Sequence, residues 1–86
     1  MPGDLIAFLN ARIDEDERYL KSNQHHLWTQ RPLREVEAKR TILAEYERAL
    51  EKAPGNLPLI NTLIRLMRVL AAVYSDHRDY RQEWKP

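Results

Sequence analysis

The segment from Leu57 to Tyr74 most constrains the fold. Leu59, Leu63, Leu66, Leu70 and Val73 recur at steps of three and four, and Ile60, Ile64, Met67, Ala71 and Tyr74 form a second row beside them. Asn61, Thr62, Arg65 and Arg68 are its polar positions. Two adjacent apolar rows at this period describe an α-helix buried over most of its circumference. Packing in a simple bundle hides one row. The second needs a separate cover, either the chain's own C-terminal tail or another subunit. Asn56 is the expected cap, because its side-chain oxygen can accept from a free N–H of the first turn.

Two further helices are expected upstream. The first spans about residues 4–21, with Asp4 as cap and Leu5, Leu9, Ile13 and Leu20 as its stripe, flanked by Ile6 and Phe8. The second spans about 32–52, opened by Pro32, with Val36, Leu43, Tyr46 and Leu50 as its stripe and Ile42 and Ala49 beside them. Proline suits a first helical position, where its missing N–H has no partner to lose. Between them, residues 22–32 read as a long connector whose Leu27 and Trp28 are expected to tuck back onto the bundle. Ala53-Pro54-Gly55 ends the second helix, since proline cannot continue the ladder and glycine accepts a positive φ. In the tail, Asp79 and Gln82 have capping-box spacing for a short helix over 79–84. The expected fold is all-α: one domain over residues 1–86, a three-helix antiparallel bundle with a short C-terminal helix or docked tail.

Size and charge narrow the function. A chain of 86 residues buries only about 60–65% of its unfolded surface, so a dimer partner would help it. It has no cysteine, which excludes disulfides and thiolate metal sites and fits a cytoplasmic protein. The longest apolar run, Leu66 to Tyr74, is interrupted by Arg68 and is too short for the roughly 18 residues of a membrane span. The opening Met1-Pro2-Gly3-Asp4 does not read as a signal peptide. Net charge is +1, without the basic footprint of a nucleic-acid binder. Two glycines in all provide no phosphate-cradling loop.

Asp16 is the main anomaly. It lies three residues after Ile13 and four before Leu20, on the apolar stripe, where a carboxylate needs a partner. Lys39 and Arg40 interrupt the second stripe in the same way. Asp16 lies six residues before the connector and Lys39 seven after it, so antiparallel packing puts them at one height. An ion pair between Asp16 and Lys39 or Arg40 is expected, fixing helix register more than stability. Up-down-up order brings the end of the third helix to the same end of the bundle. His25, His26, Asp76 and His77 can therefore approach Asp16 and Glu17. Histidines with carboxylates suit divalent metals, and a small metal-binding protein or hydrolase using Asp16, Glu17 and His77 is one alternative. The spacing matches no metal motif, however, and the run Asp14-Glu15-Asp16-Glu17 reads as a solvated helix face. In the tail, His77, Tyr80 and Trp84 are expected to act as anchors, because two large aromatics argue for docking. Arg65 and Arg68 suggest a second alternative, a nucleic-acid-associated protein. Two arginines are few, and this helix is too apolar to serve as a recognition helix.

Three segments carry a resemblance: Asp4 to Glu17, Arg34 to Leu43, and Tyr74 to Trp84. Together they resemble an uncharacterised family of small proteins from actinobacteria and their phages. Members often carry a longer insert where this chain has its short connector, and a proline where it has Arg78. The resemblance implies that Asp16, Lys39, Arg40, His77, Tyr80 and Trp84 are signature positions, and it implies no activity. The expected function is protein interaction, as a phage or mobile-element accessory factor that binds a protein partner or itself. Ile60, Ile64, Arg65, Met67 and Arg68 are the expected interface. No catalysis, cofactor, metal, nucleic acid or membrane is expected to be involved.

Overall fold

The computed structural model describes residues 2–86. Three helices, α1 (Pro2–Ser22), α2 (Gln30–Lys52) and α3 (Leu57–Ala72), form the body, each packed against the other two. Single 3₁₀ turns at Leu27–Thr29 and Gln82–Trp84 complete it. No strand occurs among the described residues. The fold is thus an all-α bundle with a docked tail.

The apolar spacing places the core where the three stripes meet. Leu5, Phe8, Leu9, Ile13 and Leu20 of α1 pack with Val36, Leu43, Tyr46 and Ala49 of α2 and with Ile60, Met67 and Ala71 of α3. Trp84 joins them from the tail. Each large aliphatic side chain hidden here contributes about 1.5–3 kcal/mol relative to exposure. Leu50, at the end of the expected α2 stripe, lies exposed, and Ala49 takes the inward position instead.

Several boundaries differ from the sequence reading. Because α1 begins at Pro2, Asp4 lies within its first turn, where its charge meets the helix dipole, and is not the cap. The connector is shorter than expected, 23–29, because consecutive turn bonds run from Asn23 to Leu20, Gln24 to Lys21 and His26 to Asn23 and then lead into the 3₁₀ turn. Pro32 is therefore the third residue of α2, still within the turn whose N–H groups lack helical partners. Leu27 and Trp28 point outward, and Thr29 is the buried residue. Its hydroxyl donates to the His26 carbonyl at 2.8 Å, so burial leaves that donor satisfied. No described residue, Gly55 included, has a positive φ. Pro54 alone stops α2, and Asn56 N–H to the Ala53 carbonyl closes the turn at 3.0 Å.

Asn56 caps α3, accepting from the Leu59 N–H at 3.2 Å. The regular helix ends at Ala72 rather than Tyr74, and the chain goes on turning through bonds from Tyr74 N–H to Ala71 and Ser75 N–H to Ala72. The short helix expected over 79–84 is only the turn at Gln82–Trp84, with Arg81 at its cap position and no side-chain capping bond. Asp79 therefore caps nothing.

Candidate functional site

The stripe anomalies of α1 and α2 meet at a polar seam. Asp16 does not pair simply with a cation. The Tyr74 hydroxyl donates to Asp16 Oδ2 at 2.7 Å, and Lys39 Nζ donates to the Tyr74 oxygen at 3.0 Å. Lys39 Nζ itself is 4.0 Å from Asp16 Oδ2 and 5.0 Å from the Tyr74 ring centre. The tyrosine thus bridges an acid on α1 and a base on α2 from the turn after α3. Burial pushes the Tyr74 hydroxyl above its ordinary pKa, and the bond to Asp16 pushes it the same way.

Arg40 takes other partners. Its Nη2 donates to Asp14 Oδ1 at 2.7 Å and to Glu17 Oε1 at 2.9 Å. Asp14 and Glu17 are one helical turn apart, so a single guanidinium clamps both to α2. The hydrogen bond Arg40 donates to Asp14, aided by Glu17, raises the Arg40 pKa against the effect of burial. Register between α1 and α2 is therefore held twice, and Arg40 takes no part in the Asp16 bridge.

A second cluster gathers the tail around Phe8. His77, Tyr80 and Trp84 place their rings 5.7, 6.1 and 5.0 Å from the Phe8 ring, and Tyr74 lies at 6.3 Å. Most of these contacts are edge-on or tilted, the favoured aromatic arrangements. Arg12 lies over the other side, its guanidinium carbon 5.3 Å from the Phe8 centre. It also donates to the His77 ring and pairs with Glu15 at 2.5 Å. Sequence reasoning passed over Phe8 and Arg12 as site residues. The signal was the spacing: Phe8, Arg12 and Asp16 stack at i, i+4 and i+8 on one side of α1.

The other sequence candidates disperse. Glu17 faces Arg40, Asp16 faces Tyr74, and His77 faces Arg12 and Phe8. Asp16, Glu17 and His77 are thus each engaged separately. Among the described residues, no group of three or more histidines and carboxylates is placed to hold a metal ion. His25 and His26 have ring centres 4.0 Å apart in the tight turns of the connector. Both lie exposed, with the His26 ring stacked 6.0 Å from Trp28, which in turn lies 6.3 Å from Tyr19.

The expected interface on α3 requires correction. Ile60 and Met67 are 8% and 0% exposed and belong to the chain's own core, and Ile64 is half-buried. That row faces α1 and α2, and the tail adds Trp84 beside Ile64 at its edge. The adjacent row stays more open. Leu59, Leu66 and Val73 are 40, 44 and 64% exposed, with Val69 beside them. On this side a shallow recess of about 230 Å³ joins Leu59 and Leu63 to Glu45, Arg48, Ala49 and Lys52 of α2.

Two larger clefts are present, one of them at the seam. One, of about 430 Å³, lies between α1 and α2 and is lined by Asp16, Tyr19, Leu20, Val36 and Lys39 among others. The other, of about 420 Å³, lies between α3 and the tail, with Arg65, Arg68 and Trp84 in its walls.

The model of a family of unknown function, DUF6221, matches residues 2–86. The chain belongs to DUF6221. No curated protein and no solved structure matches it. DUF6221 membership covers the bundle and the tail together, so the Phe8 cluster and the Asp16 bridge fall within the family's own span. No helix among the described residues of this DUF6221 chain is long and apolar enough to cross a membrane.

Proposed function

We propose that the protein is a helical interaction module working through the outer face of α3, and that the occupant of this face is a second copy of the chain. The observation that carries the reading is the open row Leu59, Leu66, Val69 and Val73 on a helix with no acidic residue. Contiguous exposed apolar surface marks an interaction site more often than an accident of composition. The Asp16 bridge and the Arg40 clamp each satisfy their own charges within the chain, so they serve the scaffold and leave recognition to the surface.

Self-association fits the charges around the row. Glu45 and the bases Arg48 and Lys52 border the recess beside Leu59 and Leu63. Two-fold pairing is self-complementary and sets each sign against the other. A net charge of +1 puts no strong repulsion between copies. A cytoplasmic setting, suggested by the lack of cysteine, and an accessory role in a phage or mobile element, suggested by the resemblance, belong to this reading.

Mass measurement across a concentration series tests it. The wild-type chain should move from monomer to dimer mass, and Leu66→Glu or Val73→Glu should hold it as a monomer with unchanged helicity. A wild-type chain that stays monomeric at millimolar concentration removes the reading.

A further inference from the structure

We propose that the cleft between α3 and the C-terminal tail is a binding site for a single oxyanion, a carboxylate or a phosphate monoester, carried on a small apolar group. Asn61, Arg65 and Arg68 stand at i, i+4 and i+7 and so share one side of α3. They line a cleft of about 420 Å³ with Leu5, Ile64, Glu83 and Trp84. That volume is within the range of small-molecule sites, which combine an apolar floor with a few converging polar groups. Here the floor is Leu5, Ile64 and the Trp84 indole.

The cationic groups are uncommitted. Arg12, Arg31, Arg40, Arg48 and Arg81 all have carboxylates within 4.0 Å, while the ion pairs among the described residues leave out Arg65 and Arg68, as they do Arg18, Arg34 and Arg78. Arg65 reaches only the Thr62 hydroxyl, at 3.3 Å. With no acid on α3, these arginines have no counter-charge on their own helix.

A second, independent observation points to an acceptor. Trp84 is 4% exposed, and its indole N–H finds no acceptor on the protein. Arg68 Nε, in the same wall, is also buried without one. Buried unsatisfied donors are costly, and two on residues lining one cleft, together with an Arg65 guanidinium that holds only the Thr62 hydroxyl, supply donors for one oxyanion. Arginine's planar fork matches carboxylate and phosphate oxygens in pairs. Glu83 in the wall opposes a polyanion, so the site favours one anionic group over a nucleic-acid strand. This cleft lies on the opposite side of α3 from the Leu66 row, and the proposal does not depend on self-association.

Indole fluorescence tests it directly. The chain has two tryptophans, and Trp28→Phe leaves Trp84 as the sole reporter. The probes are phenyl phosphate, benzoate, inorganic phosphate and a short single-stranded oligonucleotide. The expected result is a saturable change with phenyl phosphate or benzoate, tighter than with inorganic phosphate. The two aryl probes identify which oxyanion is preferred. Arg68→Gln and Arg65→Gln should each weaken binding about tenfold, one charged contact's worth on the affinity scale, while Arg78→Gln, at an exposed tail position, should not change it. Circular dichroism checks that each variant stays folded. No saturation at millimolar probe, equal response to inorganic phosphate, tighter binding of the oligonucleotide, or folded Arg68→Gln binding as wild type overturns the proposal.

Discussion

Tyr74 carries more of the polar seam than any other side chain. Its hydroxyl donates to Asp16 while accepting from Lys39. Tyr74→Phe should destabilise the protein by about 1–2 kcal/mol, the cost of one hydrogen bond plus a carboxylate left short of a donor, measured by urea unfolding. The pH dependence has a definite sign. Burial first, and Asp16 second, raise the Tyr74 pKa above its ordinary 10.0. Above that value the unfolded chain releases a proton that the native state keeps, so stability falls as pH rises through the alkaline range. Below it the contribution is fully present. Tyr74→Phe should flatten that alkaline loss, and an unchanged slope would assign it to the other tyrosines. Arg40→Ala should cost about 0.5–1 kcal/mol at low salt and less at high salt, because its clamp on Asp14 and Glu17 is partly exposed. The sequence showed that Asp16 needed a partner and that Lys39 lay level with it. It did not show the bridge. Tyr74 sat in an apolar row, and its reach to Asp16 depends on how the turns after Ala72 swing the ring.

Among the elements, the tail closes the core over Phe8. Phe8 receives His77, Tyr80 and Trp84 and is buried with the core. Phe8→Ala should therefore cost about 3–5 kcal/mol and loosen the tail, seen as earlier exchange of amide hydrogens over residues 75–86. Equal protection of the tail in the variant and the wild type would show that it is held elsewhere. Helix existence was legible because the apolar period is strong in all three stretches. Their ends were less legible. Pro32 drew α2 two residues short, since a proline is tolerated anywhere in the first turn. The spacing of Asp79 and Gln82 imitated a cap, although the chain there forms only one 3₁₀ turn.

For the whole molecule, the two apolar rows of α3 have separate fates. The sequence named both and offered two covers, yet placed the partner on the row whose Ile60 and Met67 lie in the chain's own core. Helical spacing counts rows without stating which will face the other helices; Ile60, Met67 and Ala71 are the positions that join the shared core. The row left over is where we propose self-association, which would make stability depend on concentration. If the dimer is the folded form favoured at high concentration, the melting temperature should rise with protein concentration by mass action. Leu66→Glu should remove that dependence while changing the stability of the dilute monomer by only about 0.5 kcal/mol, as befits an exposed position. The most direct measurement is sedimentation equilibrium of the wild-type chain and Leu66→Glu side by side over a wide concentration range. The account predicts a monomer–dimer equilibrium for the wild type and a single monomeric species for the variant. A wild type that remains monomeric throughout, or a variant that dimerises equally well, would contradict it.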